Sequence, residues 1–287
     1  IDAIAAATSR PQDVLGLHFF SPANIMKLLE VVRAGKTAND VLATALKFAK
    51  RIGKVPVVAR VCYGFIGNRM LQGYQRQAGL LLLEGADPEQ IDRAMVEFGF
   101  PVGPLQMADI AGIDVGYMAR QKADPASLDP NAFRVHDRLV EAGRKGQKTS
   151  AGFYSYEGRE GERDPEVLKI VEEEAEKAGF TRREVPNEEI VERCVLPLIN
   201  EGAGILEEGI AIRAGDIDVV YLYGYGFPRW RGGPMFYGDD LGLEHVLSLI
   251  EHYRSVHGDR WWRPAALIER LAREGKSFAD YDKEESR

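Results

Sequence analysis

Apolar and polar positions change period along this chain, and the changes mark its elements. Residues 14–20 (VLGLHFF) and 27–33 (KLLEVVR) are short runs of aliphatic and aromatic residues, and the loop between them holds Ser21 and Pro22. They predict two strands. Residues 39–53 place apolar side chains at helical spacing and end on a glycine, which predicts an amphipathic helix. A β-rich run at 54–60 predicts a third strand. From Gly64 the period turns helical. Residues 68–84 form one predicted helix, with small residues that permit close packing. Asp87-Pro88 opens the next, with Asp as N-cap and Pro in the first turn. Residues 100–103 break it, a further helix is expected after Asp109, and 131–142 gives one more. The strongly charged stretch 157–189 reads as a linker with a helix through 167–178.

A series of landmarks occurs twice. Glu84-Gly85, Ile91-Asp92, Gly99-Phe100-Pro101, Gly103-Pro104, Asp109 and Gly112 are echoed by Glu208-Gly209, Ile217-Asp218, Gly226-Phe227-Pro228, Gly233-Pro234, Asp239 and Gly242. The economical reading is two all-helical units of about 100 residues each, related by duplication. Asn200 lies in the long helix of the second unit without the Gly-Phe-Ile-x-Asn-Arg surroundings of Asn68.

Composition narrows the class. The 287 residues are 45% hydrophobic and 28% charged, ordinary for a chain with a sizeable core. A net charge of −7 and a pI near 5.4 argue against a nucleic-acid binder, though local lysines can still hold an anionic ligand. Cys62 and Cys194 suggest reduced, buried thiols. They do not suggest a disulfide framework, and no metal ligand set is expected. No apolar run reaches the roughly 18 residues of a membrane span. The ending Lys-Glu-Glu-Ser-Arg is unlike an SKL-type peroxisomal address.

Candidate chemistry centres on His18 and Glu30, one in each predicted strand. Two strands joined by the Ser21-Pro22 loop can set an imidazole beside a carboxylate, which orients the ring and stabilises the imidazolium it becomes. Spacing alone leaves open a strand-capping His and a solvated Glu.

Four blocks decide between them. Gly16-Leu17-His18-Phe19-Phe20-Ser21-Pro22 with Met26-Lys27-Leu28-Leu29-Glu30-Val31-Val32 resembles the catalytic segment of the 3-hydroxyacyl-CoA dehydrogenases. Gly64-Phe65-Ile66-Gly67-Asn68-Arg69, then Gly99-Phe100-Pro101-Val102-Gly103-Pro104, then Lys148-Thr149-Ser150-Ala151-Gly152-Phe153-Tyr154 follow in the family's order. The resemblance implies NAD-dependent oxidation of a 3-hydroxyacyl-CoA to the 3-ketoacyl-CoA in fatty-acid β-oxidation. It implies His18 as base, Glu30 as its partner and Asn68 as donor to the substrate's oxygen. Ser21 and Lys148 would lie near the cofactor, although Ser21 stands where the family often has Asn. Tyr223 is a substrate contact from the second unit, with Tyr221, Tyr225 and Trp230 read as packing aromatics. His136, His245, His252 and His257 are read as structural or solvated.

The implied fold is mainly α: tandem helical dehydrogenase C-terminal domains at 61–156 and 190–287, joined by the linker 157–189 and preceded at 1–60 by the last strands of a truncated Rossmann-type α/β domain. No Gly-x-Gly-x-x-Gly turn that would cradle a pyrophosphate is found, so most of the NAD-binding half is expected to be missing. Residues 1–33 would then be edge elements of a sheet whose other strands lie elsewhere. The expected parent is a multifunctional enzyme with an enoyl-CoA hydratase domain upstream, monomeric because the second unit covers the surface that single-unit relatives use to dimerise. A bacterial-type cytoplasmic setting is expected, with a peroxisomal one left open. The piece itself is expected to be inactive alone. The alternative is a non-catalytic helical dimerisation or docking module.

Overall fold

Residues 1–158 and 160–285 are described by a computed structural model. The terminal Ser286-Arg287, read above as part of a non-peroxisomal ending, lie outside the described residues. A short helix α1 (Asp2–Ala6) leads to strands β1 (Gly16–Phe19) and β2 (Leu28–Arg33), helix α2 (Asn39–Arg51) and strand β3 (Val55–Arg60). Helices then dominate: α3 (Gly67–Glu84), α4 (Pro88–Phe98), α5 (Pro104–Ala111), α6 (Ile113–Arg120) and α7 (Arg134–Glu141). A hairpin of β4 (Tyr154–Tyr156) and β5 (Gly161–Arg163) precedes α8 (Pro165–Lys177) and the long α9 (Asn187–Glu207). The chain ends in α10 (Ala214–Val220), a π-helical turn at Tyr221–Tyr225, α11 (Pro234–Leu241), α12 (Leu243–His257), α13 (Asp259–Trp262), α14 (Ala266–Glu274) and α15 (Phe278–Glu285). Among the described residues no helix is long and apolar enough to cross a membrane.

Contacts group the chain into two units, one of Ile1–Leu71 with Leu196 onward, the other of Gln72–Val195. In the first, β2 lies between β1, to which it is antiparallel, and β3, to which it is parallel. The expectation that 1–33 supplies only edge elements is therefore corrected: β2 is the central strand, and Leu28 to Val32 are all buried. Its alternation sorts the faces. Leu29 and Val31 point to one side, where Leu42, Ala45, Leu46 and Ala49 of α2 cover them. Glu30 points to the other.

The two helical series share a capping device. In the second unit the Asp92 carboxylate accepts from the amides of Leu105 (2.9 Å) and Gln106 (2.8 Å), the unpaired donors at the start of α5. Gly103 permits this, since a Cβ there would sit 2.2 Å from Asp92 Oδ1. In the contact unit formed by 1–71 with 196 onward, Asp218, of the later helical series, accepts from Met235 (2.8 Å) and Phe236 (3.2 Å) at the start of α11, beside Gly233. Burial pushes these carboxyls up, Asp92 to about 6 and Asp218 to about 7. The next landmark pair also corresponds. Asp109 accepts from the amides of Phe153 and Tyr154, and Asp239 from those of Phe278 and Ala279.

Three local expectations change. Asp109 lies inside α5, and the helix after it starts at Ile113. Asp87 is the N-cap of α4, but its side chain makes no cap bond and pairs with Arg163 at 3.1 Å. The charged stretch read as a linker holds a packed helix, because Val167, Ile170, Val171 and Ala175 of α8 are buried.

His136 of α7 is buried between Phe133 and Phe153, and its Nδ1 has no hydrogen-bond partner among the described residues. Burial, with the nearby Arg120 guanidinium, pushes it down to about 3 from 6.5. Below 6.5 the unfolded chain takes up a proton at His136 that the folded chain refuses, so the contribution of His136 to stability falls by about 1.4 kcal/mol per pH unit as pH drops from 6.5 toward 3. His136→Phe should remove this slope. Between pH 7 and pH 5 the variant should lose about 2 kcal/mol less unfolding free energy than the parent, as urea titration at the two pH values would show.

Candidate active site

Antiparallel pairing of β1 and β2 sets His18 directly opposite Glu30, so both side chains leave the sheet on the same face. His18 Nδ1 lies 2.6 Å from Glu30 Oε2. The other carboxylate oxygen accepts from the amides of Ile66 and Gly67, each at 3.1 Å, where α3 begins. One buried carboxylate thus quiets two orphan donors of a helix N-terminus, whose dipole favours an anion, and also grips the imidazole. The turn that presents those amides is tightly constrained. Gly64 has φ +76, and a Cβ there would lie 2.7 Å from Arg69 N. Phe65 follows at φ +51, a region that is costly for a bulky side chain.

The carboxylate is wholly buried, whereas the His18 side chain keeps 29% exposure. The Phe20 and Phe65 rings flank it at 4.8 and 5.5 Å. With Nδ1–H donated to Glu30, Nε2 carries the lone pair and is the nitrogen left to take a proton.

Asn68 is exposed on the first turn of α3, and its Oδ1 accepts from the Tyr225 hydroxyl at 2.8 Å. Arg69 anchors that turn, with Nε on Glu201 (2.6 Å) and its other nitrogens on Glu208 (2.6 and 2.8 Å). Ser21 is exposed just beyond β1. Tyr223 lies under the Arg229 guanidinium, 5.4 Å from its ring centroid. His18, Ser21, Glu30, Asn68 and Tyr223 all belong to the first unit, and Lys148 to the second. There Lys148 pairs with Asp114, holding that carboxyl below its usual range, and passes close over Gly112.

Tyr225, read above as a packing aromatic, meets Asn68. The signal for it in sequence is one residue. Asp92 and Gly99 are seven positions apart, and their counterparts Asp218 and Gly226 are eight.

Comparison with known proteins gives two family matches. The 3-hydroxyacyl-CoA dehydrogenase C-terminal domain matches residues 64–156 and again 190–281. The 3-hydroxyacyl-CoA dehydrogenase NAD-binding domain matches residues 1–62. That domain is therefore represented in the chain, which corrects the expectation that it is missing. The peroxisomal bifunctional enzyme of Danio rerio is 44% identical over 96% of this chain and 40% of its own length. The fatty acid oxidation complex subunit alpha of Shewanella amazonensis is 42% identical over 97% of this chain and 39% of its own. The chain thus spans about two fifths of the length of these relatives. Among solved structures, 3-hydroxybutyryl-CoA dehydrogenase from Escherichia coli K12 is 25% identical with a TM-score of 0.76, over 98% of this chain and 74% of its own. The dehydrogenase part of multifunctional enzyme 1 from C. elegans is 29% identical with a TM-score of 0.70, over 93% and 61%.

Proposed function

The chain belongs to the 3-hydroxyacyl-CoA dehydrogenase family, and from that premise we propose that its parent protein oxidises 3-hydroxyacyl-CoA thioesters to 3-ketoacyl-CoA with NAD in fatty-acid β-oxidation. The observation that carries this reading is the His18–Glu30 pair, tied at Nδ1 and free at Nε2. The substrate's 3-hydroxyl gives its proton to Nε2 as the C3–H bond releases a hydride and the C3–O bond becomes a carbonyl. Glu30 stabilises the imidazolium that results, without itself taking the proton. Asn68 Nδ2 donates to the substrate's oxygen as charge builds there. Bound NAD supplies the two-electron acceptor for that hydride.

The described residues fit one end of such a cofactor. The exposed Ser21 hydroxyl, three positions past His18, would hold the nicotinamide end. The sequence of 1–62 carries no Gly-rich turn for the pyrophosphate. No binding step is assigned to that end.

We also propose that 61–156 and 190–287 are duplicated domains, with 1–60 the nucleotide-binding part and 157–189 between them. The twofold family match and the paired roles of Asp92 with Asp218 and of Asp109 with Asp239 support this. A bifunctional parent accords with the likeness to the peroxisomal bifunctional enzyme of Danio rerio.

The test is NADH formation from 3-hydroxyacyl-CoA thioesters of graded chain length by the full-length protein. Turnover is expected, and Asn68→Ala should lower kcat by roughly 10²–10³-fold, the usual loss for one oxyanion donor. No NADH from any thioester, or normal turnover in Asn68→Ala, would overturn the reading.

A further inference from the structure

Between the Ile-Asp and Gly-Phe-Pro landmarks the second helical copy is one residue longer than the first, and that residue has a structural consequence. In the first copy α4 runs without interruption from Pro88 to Phe98 and stops at Gly99. In the second, α10 ends at Val220, and the chain widens into a π-helical turn over Tyr221–Tyr225 before stopping at Gly226. A single added residue would rotate everything after it by about 100° on a straight helix. A π turn absorbs it locally, and such turns recur at functional sites.

Here the turn delivers Tyr225 to Asn68. Its ring stacks on Tyr221 at 4.8 Å and meets Phe20 edge-on at 5.5 Å. Phe20 in turn flanks His18. Two glycines leave room for this approach. A Cβ on Gly67 would lie 2.4 Å from Tyr225 Cε2, and one on Gly224 would lie 2.5 Å from Leu28 Cδ2. The hydroxyl then donates to Asn68 Oδ1 at 2.8 Å.

We propose that Tyr225, presented by this one-residue π insertion, is a positioning residue for Asn68. An amide side chain can point either its oxygen or its NH₂ at a ligand. With Oδ1 taken by the Tyr225 hydroxyl, Nδ2 is the end that faces the substrate's oxygen. The bond also polarises the amide and strengthens its N–H donors. The second copy thereby serves the site of the first, which explains why it carries the insertion and no equivalent of Asn68. This inference rests on the dehydrogenase reading of His18, Glu30 and Asn68.

The experiment is a double-mutant cycle in the full-length protein, with steady-state kinetics on a 3-hydroxyacyl-CoA. Tyr225→Phe removes one oxygen and keeps the ring against Phe20 and Tyr221. It should lower kcat and kcat/KM together by roughly three- to tenfold, with KM unchanged, the pattern of an interaction used in the transition state. In an Asn68→Ala background the same change should do nothing more, because the acceptor is gone. Normal kcat in Tyr225→Phe, a rise in KM alone, or the same loss with and without Asn68 would overturn the proposal. If Asn68→Ala and His18→Ala themselves turn over normally, the dehydrogenase site has been misread and Tyr225 falls with it, a result distinguishable from failure at Tyr225 alone.

Discussion

In the full-length protein, His18→Ala should lower turnover of 3-hydroxyacyl-CoA by about 10²–10⁴-fold, the range for loss of the proposed general base. Binding of the thioester should change little, because the imidazole acts on a proton and not on the acyl chain. Glu30→Gln sharpens the point. A glutamine can keep its oxygen on the Ile66 and Gly67 amides, so the start of α3 stays capped. Its NH₂ then faces His18 Nδ1, which must turn acceptor, and the ring proton moves to Nε2. The base is lost although the fold stands, so Glu30→Gln should approach His18→Ala in kcat while melting close to the parent. Glu30→Ala should also destabilise, since the two orphaned buried amides cost about 1–3 kcal/mol each. Near-normal kcat in His18→Ala, or a tight-binding defect in place of a rate defect, would sink this assignment.

Arg193→Ala should destabilise the 72–195 unit by about 3–5 kcal/mol, the usual result of removing one partner from a buried ion pair. Arg193 has no exposed surface. Its guanidinium makes two bonds to Glu84 (2.6 and 2.7 Å), two to Gln77 (3.0 and 2.9 Å) and one to Glu189 (3.1 Å). Without it the buried Glu84 keeps its ion pair with Arg183 at 2.9 Å, which places the loss toward the lower end of that range. Arg193→Lys should recover only part, because one ammonium cannot reproduce the planar fork that engages Glu84 and Gln77 together. Urea unfolding of the three proteins provides the measurement, and a loss below about 1 kcal/mol for Arg193→Ala would show that the network contributes little.

Local patterns carried much of this molecule. The strand pair came from two short runs of aliphatic and aromatic residues with a loop between them, and the 39–53 helix from spacing and a terminal glycine; the observed β1, β2 and α2 lie within those bounds. His18 and Glu30 were singled out by the family resemblance, and the register adopted places them face to face. The repeated Ile-Asp and Gly-Pro landmarks were visible as a rhythm without a cause. The structure supplies it: an aspartate in one helix caps the helix that begins after the Gly-Pro.

Sequence by itself therefore determined the order of the early elements and the internal echo, which rest on periods and spacings within a few dozen residues, and the family resemblance singled out His18 and Glu30, which the strand register sets face to face. Tertiary structure alone decided the rest. Tyr225 finds Asn68 across 157 positions and Arg193 finds Gln77 across 116, and no local period encodes either meeting. Tyr223, Tyr225 and Tyr221 are alike in sequence, and only the turn of the π helix aims one of them at the amide. Likewise Arg193 stands among residues whose pattern gives a charged side chain no reason to be buried. The physical reason is common to both. A buried polar group must be satisfied by partners with the right donors at the right distance, and which partners those are is settled when distant segments pack.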